Sequence, residues 1–95
     1  MKVEYTAEVF SSLLRLVNLI EETNTDGAGV RWLNKFESFI ERNLSNAASI
    51  SFCNNESLKR LQLRCIYYGD WLIAFSIHDN IIIIEAIFHK TRIKD

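Results

Sequence analysis

The feature that most constrains the fold is a pair of apolar runs near the end of the chain, 71–78 and 81–88, separated by two polar residues. These two residues, Asp79 and Asn80, have short polar side chains that tolerate positive φ, as the central positions of a two-residue hairpin turn require. The sequence therefore predicts an antiparallel hairpin, which we expect to be the centre of a β-meander over about 60–89.

Counting outward from this turn divides the hairpin into two faces, because successive side chains of a strand point to opposite sides. One face is apolar throughout and is expected to meet the helices, with these pairs: Ile77 with Ile82, Phe75 with Ile84, Ile73 with Ala86, and Trp71 with Phe88. The other face is mixed: it carries His78, Ser76 and Glu85 beside the aliphatic residues Leu72, Ile81, Ile83 and Ile87. Since apolar residues at the centre of a sheet face are not favoured in water, we expect something to cover this open face.

The run 61–67 alternates apolar and polar residues and predicts a further strand, whose pairing with the hairpin allows two registers. A two-residue turn would place Arg64 opposite Phe75 on the core side, where a buried unpaired charge costs several kcal/mol. A three-residue loop over 68–70 instead sends Arg64 to the open face, within reach of Glu85. We therefore predict the three-residue loop and an ion pair between Arg64 and Glu85.

The first half of the chain has the patterns of one short strand and two helices. Alternation over Lys2–Tyr5 predicts a half-buried strand, and Thr6 can then cap a helix over 7–22. After a polar break, Asp26 can cap a second helix over 28–44. Each helix has an apolar stripe at helical spacing, formed by Phe10, Leu13, Leu14, Val17 and Ile20 in the first and by Trp32, Leu33, Phe36, Ile40 and Leu44 in the second.

The remaining segment, 45–57, is rich in Asn and Ser and is expected to cross between the two halves, with one short strand at most. Cys53 and Cys65 have no C-x-x-C spacing and no adjacent histidine, so we expect buried free thiols and no metal site. The expected fold is α+β: a short N-terminal strand, a two-helix hairpin and a C-terminal antiparallel β-meander, in a single domain over 1–95.

Composition excludes several classes of function. A formal net charge of −1 argues against binding nucleic acid by bulk electrostatics, so any such contact must be local. There is no apolar run long enough for a membrane span or a signal peptide, which favours a cytoplasmic protein. No Gly-rich phosphate loop or nucleophile elbow is present, and no cofactor is expected.

A basic tail follows the last predicted strand and contains His89, Lys90, Arg92 and Lys94. Histidine can act as a general acid or base near neutral pH, and Lys or Arg can stabilise negative charge that develops during phosphodiester cleavage. Terminal charge runs also occur simply for solubility, so the tail by itself leaves both interpretations open.

The order strand, helix, helix and meander, ending in the His-x-x-Arg of His89 and Arg92, resembles the RelE/ParE superfamily of toxins from bacterial type II toxin–antitoxin, or plasmid stabilisation, systems. The resemblance covers nearly the whole chain in layout and is most specific over 68–92, with an aromatic strand, an acidic turn and an aliphatic strand before the closing motif. It implies one of two activities: cleavage of messenger RNA in the ribosomal A site, as an mRNA interferase, or poisoning of DNA gyrase. It also implies a cognate antitoxin that covers the toxin. One assembly that the resemblance allows is a heterotetramer of toxin and antitoxin.

The resemblance also implies roles for particular residues. His89, Arg64 and Arg92 would be catalytic, and Arg60, Lys90 and Lys94 would contact RNA or another target. The antitoxin would cover the apolar residues of the open face, namely Ile66, Leu72, Ile81, Ile83 and Ile87. Leu72 stands where the family often has arginine, and Phe75 stands in place of a tyrosine. This departure makes binding a safer expectation than catalysis, and the alternative is a non-toxic member that acts only as a protein-interaction module.

Overall fold

The computed structural model describes residues 2–95 and has the predicted α+β layout. Its elements are β1 (Lys2–Tyr5), α1 (Ala7–Thr23), α2 (Ala28–Asn43), α3 (Glu56–Arg60), β2 (Arg64–Tyr68), β3 (Trp71–His78) and β4 (Ile81–His89), with a single 3-10 turn at Ala47–Ser49 before α3. One sheet has the order β1-β4-β3-β2, in which β1 runs parallel to β4 and the other pairs are antiparallel. Within residues 2–95, no helix has the length and apolar character needed to cross a membrane.

The starts of α1 and α2 are both capped, but only that of α1 as the sequence predicted. Thr6 caps α1 and accepts a hydrogen bond from the Val9 N–H at 3.2 Å. Asp26 does not cap α2, since Gly27 occupies the cap position with a φ of 82° and no side-chain cap bond. The carboxylate of Glu21 in α1 replaces the missing cap, because it accepts hydrogen bonds from the N–H groups at the start of α2.

The two helices approach closely at Gly29, which is buried. A Cβ atom at this position would collide with the backbone carbonyl oxygen of Val17 in α1. Glycine is therefore required here by the contact between backbones.

The β3–β4 hairpin has the predicted turn, with Asp79 at a φ of 55°, and the predicted pairs nearest to it, Ile77 with Ile82 and Phe75 with Ile84. Farther from the turn the predicted pairs are wrong, because a β-bulge shifts the register between Ala74 and Phe75. The observed pairs there are Ala74 with Ala86, Ile73 with Ile87, Leu72 with Phe88, and Trp71 with His89. The extra residue in β4 turns Ile87 toward the helices and Phe88 toward the opposite face.

The predicted three-residue loop before β3 is also wrong. Tyr68 pairs with Trp71 and Arg64 with Phe75, which is the register of a two-residue turn. The sequence argument against this register assumed an unpaired charge, but the Arg64 guanidinium donates to the carbonyl oxygens of Ala48, at 3.4 Å, and of Ile50. It also lies 4.2 Å from the ring centroid of Phe52. These partners belong to the crossing segment. The sequence argument considered only the pairing of β2 with β3 and so did not include them.

The meander begins later than predicted, because the chain just before β2 is not extended. Residues Glu56–Arg60 form α3, and Gln62 has a φ of 58°, so the regular strand starts at Arg64. The strand expected in the crossing segment is reduced to one antiparallel bridge between Phe52 and Arg64.

Each face of the sheet supports its own buried cluster. The helix-facing cluster contains Val9, Leu13, Phe36, Ile40, Leu44, Ala47, Ile73, Phe75, Ile82 and Ile84. The opposite cluster contains Cys53, Leu58, Leu63, Leu72 and Ala74, with Ile93 of the tail against it. The face that was expected to be open is therefore covered in part by the chain's own α3 segment and tail.

The expectation of free thiols is wrong, since Cys53 and Cys65 form a disulfide with a Cα–Cα distance of 4.9 Å. The crossing segment runs beside β2, where the Cys53 N–H donates to the Leu63 carbonyl oxygen at 2.9 Å. This pairing brings together two cysteines that are 12 residues apart in sequence. Their spacing alone does not reveal it.

Candidate functional site

A groove of about 720 Å³ lies between α1 and the paired ends of β3 and β4, and we call it the α1–β4 groove. Its α1 wall contains Ser12, Leu13, Arg15, Leu16 and Leu19. Its sheet wall contains Trp71, Ile87, Phe88, His89 and Arg92. The β-bulge contributes to this wall, because it pairs Trp71 with His89 at the end of the sheet.

His89 is held at this end of the sheet by contacts on two sides. Its ring meets the Trp71 ring edge to face, with centroids 5.1 Å apart. Its Nδ1 accepts a hydrogen bond from the Thr91 backbone N–H at 3.3 Å and lies 2.9 Å from the Thr91 hydroxyl. Because a backbone N–H can only donate, the bond from Thr91 selects the neutral tautomer that carries its proton on Nε2, whereas the Thr91 hydroxyl can accept from a protonated Nδ1. The Nε2 atom is thus the one available to donate to a ligand.

Two guanidinium groups line the same groove from opposite walls. Arg15 projects from the exposed side of α1, where it contacts the Ser12 hydroxyl at 3.4 Å, and Arg92 lies in the tail. Within residues 2–95, neither arginine forms an ion pair, and no carboxylate lines the groove. The charged side chains that line the groove are therefore both basic, although the chain as a whole carries a formal charge of −1.

The predicted catalytic residues are only partly brought together. His89 and Arg92 share the α1–β4 groove, whereas Arg64 lies on β2, the far edge strand, with its guanidinium bonded to backbone carbonyls. The predicted Arg64–Glu85 ion pair is absent, since Glu85 accepts a hydrogen bond from the Ser76 hydroxyl at 2.6 Å.

The predicted target-binding residues do not line the groove. Lys90 forms an ion pair with Asp70 at 3.0 Å, Arg60 lies in α3, and Lys94 is exposed in the tail. Sequence analysis missed Arg15 and Trp71, which do line it. The position of Arg15 on the polar side of α1 was visible in the helical pattern, but no sequence signal places that side opposite His89.

The predicted antitoxin-binding residues do not form one surface. Leu72 is fully buried, with 0% of its surface exposed, in the cluster beneath α3. Ile66 and Ile87 pack against the helix-facing cluster, while Ile81 and Ile83 are half-buried residues on the opposite side of the sheet. Of the set, only Ile87 lines the α1–β4 groove.

A second polar cluster, formed by Ser76, His78 and Glu85, has the residue types of a hydrolase triad without its arrangement. The Ser76 hydroxyl lies 3.0 Å from the Nε2 of His78 and donates to the Glu85 carboxylate. In a triad the carboxylate orients the histidine, whereas here it binds the serine directly. The cluster satisfies polar groups on the sheet surface, and nucleophilic catalysis does not follow from it.

Comparison with models of known protein families and with curated proteins finds no match to this sequence in either. A functional interpretation of the chain therefore depends on the chemistry of the α1–β4 groove.

Proposed function

We propose that this chain is the toxin subunit of a bacterial type II toxin–antitoxin pair of the RelE/ParE kind, and that it cleaves messenger RNA on the ribosome in the cytoplasm. One observation carries the proposal: Arg15, His89 and Arg92 line one groove together with the indole of Trp71. These are the groups that hold a phosphodiester, stack on an unpaired base and transfer a proton.

Each of the polar residues that line the groove would have a separate role in cleavage. Arg15 and Arg92, on opposite walls, would bind the phosphate and stabilise its extra negative charge. The RNA 2′-oxygen would form a bond to phosphorus while the bond from phosphorus to the 5′-oxygen breaks. In its doubly protonated form, with the Thr91 hydroxyl accepting from Nδ1, His89 would pass its Nε2 proton to that leaving oxygen and become neutral.

The proton of the attacking 2′-hydroxyl needs a different acceptor. The lining of the groove contains no carboxylate and no second histidine within residues 2–95. In this proposal, water or a group of the ribosome accepts that proton. We expect little cleavage of free RNA by the purified protein.

The leucine at position 72 does not weaken this proposal. Leu72 is fully buried under α3 and does not line the α1–β4 groove, so an arginine there would not reach a ligand in it. In this proposal Arg15, from the helix wall, provides the guanidinium that position 72 does not.

An antitoxin would neutralise this toxin by occupying the same groove. Leu16 and Leu19 line its helix wall, and Leu19 has 55% of its surface exposed. An apolar segment of an antitoxin, with acidic residues facing Arg15 and Arg92, fits this combination of apolar and basic walls. A heterotetramer of two toxins and two antitoxins is one assembly compatible with such a contact.

The test is induction of the chain in a bacterial host, followed by primer extension on abundant messages. The proposal expects growth arrest and cuts at ribosomal A-site positions, both strongly reduced in Arg15→Ala and His89→Gln. Arg42→Ala is the matched control, because Arg42 is an exposed arginine on α2 outside the groove. Growth arrest without cuts would overturn the nuclease activity, and unimpeded growth would leave a non-toxic interaction module.

Gyrase poisoning is the second candidate, and the apolar half of the α1–β4 groove favours it, because a protein target needs apolar contact area. A purified supercoiling assay separates the two activities. Inhibited supercoiling with trapped cleavage complexes would support the gyrase target, whereas normal supercoiling at saturating protein would exclude it.

A further inference from the structure

Three potential metal ligands converge at β2, an edge strand of the sheet. The sulfur atoms of Cys53 and Cys65 and a carboxylate oxygen of Asp95 all lie within 4.8 Å of one another. They come from three separate parts of the chain: the crossing segment, β2 and the tail. Cys53 is 1% exposed, and the other two residues are partly buried, so the group is largely shielded from water.

The position of the Asp95 carboxylate is set by its own contacts. Oδ1 accepts a hydrogen bond from the Asn55 backbone N–H at 2.9 Å, and the Asn55 side chain donates to the Lys94 carbonyl oxygen at 3.1 Å. Within residues 2–95, no hydrogen bond or ion pair engages Oδ2. The hydrogen bond to one carboxylate oxygen fixes this side chain beside the two sulfur atoms, as outer hydrogen bonds do for metal ligands.

We propose that Cys53, Cys65 and Asp95 bind Zn²⁺ when the disulfide is reduced, with water as the fourth ligand. Two thiolates and a carboxylate are a ligand set that Zn²⁺ accepts, and the soft sulfurs select against Mg²⁺ and Ca²⁺. In a tetrahedral site with Zn–S bonds of about 2.3 Å, the sulfurs are about 3.8 Å apart. The 4.9 Å separation of the two Cα atoms accommodates this distance by rotation of the cysteine side chains.

Disulfide and metal exclude each other, so the site opens only under reducing conditions. A dithiol reductant transfers two electrons and two protons to the disulfide, giving two protein thiols while its own sulfurs become a disulfide. Zn²⁺ then binds the two thiolates, and their two protons pass to solvent. Asp95 enters already ionised, and the disulfide and the bound metal each link the crossing segment to β2.

The experiment uses the full chain, reduced with a phosphine that is then removed without air, and Co²⁺ as an optical probe. The reduced chain is expected to bind one Co²⁺ with sulfur-to-metal charge-transfer absorption, which equimolar Zn²⁺ removes. The oxidised chain is expected to give no such absorption. Reduced protein that binds no Co²⁺ would overturn the proposal.

Two variants test the ligand set. Asp95→Asn is expected to weaken Zn²⁺ binding by at least about tenfold, and Cys65→Ser is expected to abolish the charge-transfer absorption. Asp79→Asn is the control, because Asp79 is an exposed carboxylate at the β3–β4 turn. If Asp95→Asn binds Zn²⁺ as tightly as the unaltered chain does, the assignment of Asp95 as a ligand is wrong. Should Cys65→Ser fail to fold, Asp95→Asn and the reduced unaltered chain still decide the question.

Discussion

The carboxylate of Glu21, in the last turn of α1, accepts a hydrogen bond from the backbone N–H of Gly27 at 2.7 Å. Its other oxygen accepts a hydrogen bond from the Gly29 N–H at 3.0 Å. One helix therefore provides the N-terminal cap of the next, and the negative charge lies at the positive end of the α2 dipole. This contact couples the stability of the helical hairpin to the ionisation of a single carboxyl.

The hydrogen bonds from Gly27 and Gly29 hold the pKa of Glu21 below its ordinary value of 4.5. A lowered folded-state pKa adds stability at pH above 4.5, and this stability is lost as the pH falls below 4.5 through the folded-state pKa. We expect Glu21→Gln to lower the urea midpoint at neutral pH and to reduce the loss of stability on acidification. Glu22→Gln, at an exposed neighbour, is the control; equal midpoints for Glu21→Gln and the unaltered chain at neutral pH would contradict the capping role.

The contact between Gly29 and the Val17 carbonyl oxygen makes a strong prediction about packing. Gly29→Ala is expected to destabilise the fold by about 1–3 kcal/mol, because the added methyl group forces the two helices apart. Val30→Ala, at the next and exposed position, is expected to change stability by less than about 0.5 kcal/mol. Urea denaturation of both variants measures the difference, and a neutral Gly29→Ala would show that α1 can shift without cost.

The burial of Leu72 predicts the effect of introducing the arginine typical of the resembled family. Leu72→Arg is expected to cost at least about 3 kcal/mol, because it places an unpaired charge in the cluster beneath α3. Leu61→Arg is the matched control, since Leu61 is 68% exposed. Thermal denaturation compares the two variants. A Leu72→Arg protein as stable as the control would mean that α3 does not seal this face.

Reduction of the Cys53–Cys65 disulfide is expected to destabilise the metal-free chain. The crosslink closes a loop between residues 12 apart in sequence, and a loop of roughly 15 residues corresponds to about 3 kcal/mol in the chain-entropy model. Urea titration with and without a phosphine reductant, in the presence of a metal chelator, measures this loss. Cys65→Ser should match the reduced chain and respond no further to reductant.

The α1–β4 groove predicts a measurable electrostatic effect, given the proposed function. For binding to single-stranded oligouridine, Arg15→Ala is expected to reduce the slope of log affinity against log salt by about 0.7, the value for one lost phosphate contact. Arg42→Ala should leave the slope unchanged. Fluorescence anisotropy over a range of salt concentrations provides the measurement, and an unaltered slope in Arg15→Ala would remove Arg15 from the RNA-binding surface.

Local patterns along the chain were sufficient to predict the elements other than α3 and the start of β2. The two long helices, the Thr6 cap and the Asp79 turn depend on residues within a few positions of one another, and the structure confirms each of them. The predicted stripe of α1 is only partly right, because Leu13 is buried whereas Phe10 and Leu14 are exposed. The pairs nearest the β3–β4 turn are also correct, because a tight turn sets the register of the strands that it joins.

Tertiary contacts decided the rest of the sheet and the composition of the site. The bulge opposite Ala74, the Arg64 register and the Cys53–Cys65 disulfide all depend on segments distant in sequence that pack against the strands.

Part of the candidate site was likewise predicted from the sequence, and part became visible only in the structure. His89 and Arg92 were recognised because they lie in one short motif, whereas Arg15 joins them only because α1 packs across the sheet. The sequence by itself determined the helices α1 and α2 and the strands β1, β3 and β4, since those preferences arise from neighbouring residues. Only the tertiary structure decided which side chains share a groove, because that depends on how separate apolar faces pack together.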